Sequence, residues 1–72
     1  MKGPILTKRR RQILHFIRAF LSEHGYPPTY REIQGHLGIR SPNAVSEHLV
    51  ALRNLGLIDW RPACARTLRF PD

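Results

Sequence analysis

The chain has 72 residues, with twelve Lys and Arg against five Asp and Glu, a formal charge of +7, 42% hydrophobic residues and one cysteine. That leaves room for one domain around one small core, since a chain this short buries only about 60% of the surface it exposes when unfolded. It excludes an intrachain disulfide and a multi-cysteine zinc site, and no apolar run approaches the ~20 residues of a membrane span.

In chain order, Met1 to Leu6 reads as a short loose arm carrying Gly3 and Pro4. Thr7 is placed to cap a helix whose apolar residues Ile13, Phe16, Ile17, Phe20 and Leu21 recur at i, i+3, i+4, i+7 and i+8. Gly25 ends it as a left-handed cap, and Pro27 and Pro28 forbid its continuation. Thr29 followed by Glu32 has the form of a capping box. Ile33 and Leu37 supply the apolar contacts of a short second helix, which Gly38 stops. Ser41 is then a natural N-cap, with Pro42 at the first helical position, where its missing N–H costs nothing. The third helix is expected from about Pro42 to about Leu55, ended by Gly56. Val45, Leu49 and Leu52 cluster on one side with His48 flanking them, while Asn43, Ser46, Glu47 and Val50 fall opposite. Two helices joined by so short a turn fold their apolar faces together as a helix-turn-helix.

After Gly56 the period shifts to alternation. Leu57, Ile58 and Trp60, a turn at Pro62 to Ala65, and then Leu68 and Phe70 predict a two-stranded hairpin with one face on the helices. The fold class expected is therefore mainly α: a three-helix winged helix-turn-helix with a two-stranded β-hairpin wing, a single domain over residues 1–72. Nothing recurs at a fixed period and no signal-peptide pattern opens the chain, so an intracellular, reducing setting is expected.

The basic excess is nearly all arginine, only Lys2 and Lys8 being lysines. Arginine forks suit phosphates and base edges, which points to a polyanion, with nucleic acid ahead of an anionic membrane surface. A charged coat that keeps the domain soluble is the competing reading. The outer face of the third helix has mixed chemistry rather than a Lys/Glu coating. Asn bridges adenine's edge, Glu accepts from cytosine, and small apolar groups meet thymine methyls. Ser41, Asn43 and Ala44 stand where a recognition helix meets base edges; Ser41 is also the cap, whereas for Asn43 base contact is preferred to capping. Glu47 repels phosphate, so on this face it suggests base selection. Lys8, Arg9, Arg10 and Arg11 oppose the macrodipole of the first helix, which phosphate contact or general solubility would each explain. On the hairpin, Arg61, Arg66 and Arg69 suit the flanking DNA backbone or the minor groove, Arg66 foremost, with a charged, aggregation-resistant edge as the competing reading. His15, His24, His36, His48 and Cys64 match no metal-ligand spacing. Phe16, Phe20 and Trp60 are expected in the core.

Three stretches carry a resemblance: Thr7 with Ile13-Leu14-Phe16-Ile17; Gly25-Tyr26-Pro27-Pro28-Thr29-Tyr30-Arg31-Glu32-Ile33; and Arg40-Ser41-Pro42-Asn43-Ala44, continuing through Glu47-His48-Leu49 to Leu52 and Gly56. Over nearly its whole length the chain resembles the N-terminal DNA-binding domain of the LexA repressor family, regulators of the bacterial DNA-damage (SOS) response. The resemblance implies that Ser41, Asn43, Ala44, Ser46 and Glu47 face the bases of an inverted-repeat operator of CTGT type, and that the hairpin contacts the backbone. Arg9, Thr29, Arg40, Arg53 and Arg66 are the candidate backbone contacts. Where one branch of the family carries Ala and Glu before the Glu-His pair, this chain has Val45 and Ser46, which bears on base preference. The segment Pro62-Ala63-Cys64-Ala65 lacks the glycine usual in one branch. The family's linker, self-cleavage site, Ser-Lys dyad and dimerisation domain do not occur in these residues, so no enzyme activity and no cofactor are expected.

The partner expected is thus double-stranded DNA, met by a cytoplasmic, nucleoid-associated bacterial protein that is a monomer alone and pairs on DNA as a homodimer. The alternatives are a winged-helix protein-interaction module, whose binding would survive high salt, and an RNA-binding module, for which few aromatics are free to stack.

Overall fold

The computed structural model describes residues 6–61, 64 and 66–71. Three helices form: α1 (Lys8–His24), α2 (Tyr30–Leu37) and α3 (Pro42–Asn54). Most of the expected arm, residues 1–5, and the turn residues 62, 63 and 65 lie outside the described residues.

Each helix starts on the residue whose side chain can replace a missing backbone partner. The Thr7 hydroxyl accepts from the Arg10 N–H at 3.1 Å. At α2 the box closes both ways: the Thr29 N–H donates to Glu32 Oε1 at 2.8 Å, and the Glu32 N–H donates to Thr29 Oγ1 at 3.2 Å. Ser41 Oγ accepts from the Ala44 N–H at 3.2 Å, with Pro42 opening the helix behind it. Gly25 and Gly38 end α1 and α2 in the left-handed region, at φ 82° and 65°. The third helix stops at Asn54, with Leu55 as its cap. Residues 38–41 are all that separates α2 from α3, and α2 packs against both other helices in a helix-turn-helix arrangement.

The core consists of Ile13 and Ile17 from α1, Ile33 from α2, Ile39 from the turn, Val45, Leu49 and Leu52 from α3, and Ile58 and Leu68 beyond it. It is wholly aliphatic. Contrary to expectation, Phe16, Phe20 and Trp60 are only half-buried at its margin. The rings pair with neighbouring aromatic side chains instead. Phe16 stacks on His36 with centroids 4.3 Å apart, and Phe20 lies 4.2 Å from His24.

After Gly56, one antiparallel bridge pairs Asp59 with Arg69 through reciprocal backbone hydrogen bonds of 2.9 Å. Among the described residues no longer strand forms, so the expected two-stranded hairpin reduces to this bridge. The next backbone pair would be Arg61 with Thr67. There the Arg61 N–H instead donates to Thr67 Oγ1 at 2.9 Å, which takes it out of the ladder. The same hydroxyl donates to the Cys64 carbonyl at 3.0 Å, closing the segment on itself.

Two glycines separate backbone conformation from space. A Cβ on Gly35, inside α2, or on Gly38, at its end, would meet nothing within 4 Å. Gly35→Ala is expected to raise stability by about 0.5–1 kcal/mol, the ordinary helix-interior difference. Gly38→Ala, forced to keep a left-handed φ, is expected to lower it by about 1–2 kcal/mol. Urea denaturation of the two variants should show opposite signs.

Candidate nucleic-acid interface

The rotation of α3 is set by its buried side. Val45, Leu49 and Leu52 have no exposed surface. Asn43, Glu47, Val50 and Asn54, at i, i+4, i+7 and i+11, are exposed on the opposite side. At 1.5 Å per residue they make a stripe roughly 16 Å long. Of the residues expected to face bases, Asn43 and Glu47 lie on this stripe. Ala44 and Ser46 are half-buried along its borders, and Ser41 caps its N-terminal end. Val50, 37% exposed, belongs to the same face but was not among the candidate contacts. Asn54 was missed altogether, although the helical period continued past Val50 identifies it.

The stripe itself carries one carboxylate and no cation. Positive charge stands around it, and much of it is engaged inside the protein. Arg9 Nη1 donates to the Leu37 carbonyl at 2.9 Å. That carbonyl is at the C-terminal end of α2, where carbonyls lack helical partners and the macrodipole is negative. A cation that is unfavourable at the start of α1 is thereby favourable at the end of α2. The Arg53 guanidinium lies 4.3 Å from the centre of the Trp60 ring. Arg66 is bound to Glu32, the Pro27 carbonyl and the face of Tyr26. Thr29 serves the capping box. Arg40 is exposed in the turn before α3 and makes no ion pair or side-chain hydrogen bond among the described residues.

On the hairpin segment, Arg69 pairs with Asp59 at 3.3 Å, and Arg61 is exposed. Cys64 is an exposed free thiol. Among the described residues no three His, Cys, Asp or Glu side chains come together to hold a metal ion. No helix there is long and apolar enough to cross a membrane.

His48 sits between the stripe and the core. Its Nδ1 is buried without a hydrogen-bond partner, as is Nε of Arg10. Burial is the main cause that holds the imidazole below its ordinary pKa of 6.5, reinforced by Arg10 and Arg9 and opposed by Glu47. The folded protein therefore keeps His48 neutral at a pH where the unfolded chain has begun to protonate it. Between those two values the unfolded state binds more protons, so stability falls as pH falls through this window and levels off below the folded value. Urea midpoints measured from about pH 8 to about pH 5 should decline, and His48→Gln should flatten the decline.

Comparison with known proteins fits this geometry. The model of the LexA DNA binding domain family matches residues 2–67. The LexA repressor of Sorangium cellulosum is 52% identical over 67 residues, which is 93% of this chain and 29% of that protein. The LexA repressor of Hahella chejuensis is 50% identical over 66 residues, 92% of this chain and 33% of that protein. For the LexA repressor of Pseudomonas aeruginosa the figures are 48% over 66 residues, 92% and 32%. The chain thus spans about a third of the length of the curated relatives it matches.

Proposed function

Because this chain belongs to the family of LexA DNA-binding domains, we propose that it binds double-stranded DNA with sequence preference, as the DNA-reading part of a transcriptional repressor of the SOS response. The observation that carries the reading is the stripe on α3, a row of polar side chains and one valine held outward by a fully buried opposite side. Such a helix enters the major groove with its N-terminal residues against base edges. Asn43 matches the donor and acceptor pair of adenine, and Glu47 the amino group of cytosine. Ala44 and Ser46 border those contacts, and Ser41, by capping the helix, leaves its N-terminus to face a phosphate.

Phosphate contact in this reading falls first to Arg40, whose side chain is uncommitted beside the start of α3, and to the Thr29 hydroxyl. Arg53 and Arg66 reach the backbone only by leaving their intramolecular partners, and Arg9 serves chiefly to join α1 to α2. Residues 1–72 act as one winged helix-turn-helix unit, with the segment after Gly56 as the wing. Two copies, each a monomer alone, pair on an inverted repeat of CTGT type in the bacterial cytoplasm. No reaction and no cofactor belong to this unit.

Selection of bound duplexes from a random pool tests the reading. The parent should recover a short defined motif, and Asn43→Ala should relax preference at one or two positions, at about 1–3 kcal/mol per lost base contact. A pool that yields no motif removes sequence-specific recognition. Sedimentation of the free protein should give a monomer, and a stable dimer without DNA would overturn pairing on the operator.

A further inference from the structure

Arg66 is held on three sides. Its Nη1 donates to Glu32 Oε1 at 3.0 Å and to the Pro27 carbonyl at 3.1 Å, while Nη2 donates to Glu32 Oε2 at 3.1 Å. Its guanidinium carbon lies 4.7 Å from the centre of the Tyr26 ring. Among the described residues Arg66 is also the only non-glycine with positive φ, at 58°. An L side chain persists there only where its surroundings hold it.

Glu32 is engaged as fully. The carboxylate that receives the Arg66 fork also accepts the Thr29 N–H and so closes the capping box of α2. The bond from Arg66, then that from Thr29, holds the Glu32 carboxyl below its ordinary range. Between residues 58–71 and all that precedes them, the bonds from Arg66 are the only hydrogen bonds among the described residues. The remaining ties are packing, through Ile58 and Leu68 in the core, the rings of Trp60 and Phe70 under Arg53 and Arg18, and the edge of Trp60 against Tyr30 at the start of α2.

We infer that Glu32 is a positioning residue: through Arg66 its carboxylate sets where the C-terminal segment stands against the N-terminus of α2 before any DNA arrives. The functional half of this inference rests on the reading of that segment as a wing. A segment already held in place loses less conformational freedom on binding, so the clasp raises affinity without itself touching DNA. The fork requires both partners. Lysine is a point charge without fork geometry, and glutamine keeps the cap while losing the ion pair.

The single cysteine offers a reporter, because Cys64 is exposed and two residues from Arg66. A nitroxide attached there should show restricted motion in the parent. In Glu32→Gln, and independently in Arg66→Lys, the restricted component should largely disappear while helical ellipticity stays at the parent level. The groups facing Glu32 are Arg66, with Tyr26 beyond it, and Thr29 at the N-cap of its own helix. A depressed carboxylate keeps its charge until pH falls through the depressed value, so the parent should lose restriction there. Asp59→Asn, which neutralises the carboxylate of the segment itself, should leave that transition in place. On the selected duplex both clasp variants should bind several-fold more weakly with base preference unchanged, unlike Asn43→Ala. Restricted motion that survives both clasp substitutions overturns the inference. If the variants free the label but the parent binds no duplex, the clasp stands and the DNA reading fails.

Discussion

The constraint on which everything else depends is the complete burial of one side of α3. Val45, Leu49 and Leu52 meet Ile13, Ile17 and Ile33 in an aliphatic core that offers a polar side chain no partner. Rotating α3 by one residue, roughly 100°, would turn Ser46 and Arg53, or in the other sense Ala44 and His48, toward that core, at the cost of an unsatisfied or charged buried group. The outward direction of Asn43 and Glu47 is therefore a consequence of where the aliphatic side chains must go. The short connection through Ile39, itself buried, leaves α3 little freedom to slide along α2. A reading helix depends on such rigidity, because base edges differ by the positions of single hydrogen-bonding atoms.

The arginines divide between two tasks. With five carboxylates in the whole chain, ion pairs cannot absorb them. The structure uses backbone carbonyls and rings as well: Leu37 for Arg9, Trp60 for Arg53, Phe70 for Arg18, and Pro27 with Tyr26 for Arg66. Except for Arg66, whose charge Glu32 offsets, these contacts leave each charge in place, since neither a carbonyl nor a ring neutralises it. The domain gains fastening across its small core and still presents a positive field around a stripe that contains no cation. In the proposed reading, attraction to a polyanion and discrimination along the stripe then fall to different residues.

His48 and the hairpin segment mark where the packing is least complete. The imidazole has a buried nitrogen with no partner and two arginines nearby, which ties stability to pH on α3 itself. The segment after Gly56 contributes Ile58 and Leu68 to the core but only one backbone bridge, so its placement leans on side chains more than on a ladder.

Helix positions, caps and the two faces of α3 were legible in the amino-acid sequence because they follow from interactions within four residues. Thr29 meets Glu32 and Ser41 meets Ala44 in any chain that begins a helix there, and the apolar period selects the buried side. The family was legible for the same reason, its motifs being those local patterns. What the arginines hold was not legible. Arg9 reaches a carbonyl 28 residues away and Arg66 a carboxylate 34 residues away, and no periodicity encodes which distant groups will meet. The rings were misplaced for a related reason, since hydrophobicity ranks a side chain for burial but does not say which of several apolar side chains meet in the interior. The length of the hairpin turned on one hydroxyl, Thr67, competing with a backbone carbonyl for the Arg61 N–H, a choice made only once the two segments lie side by side.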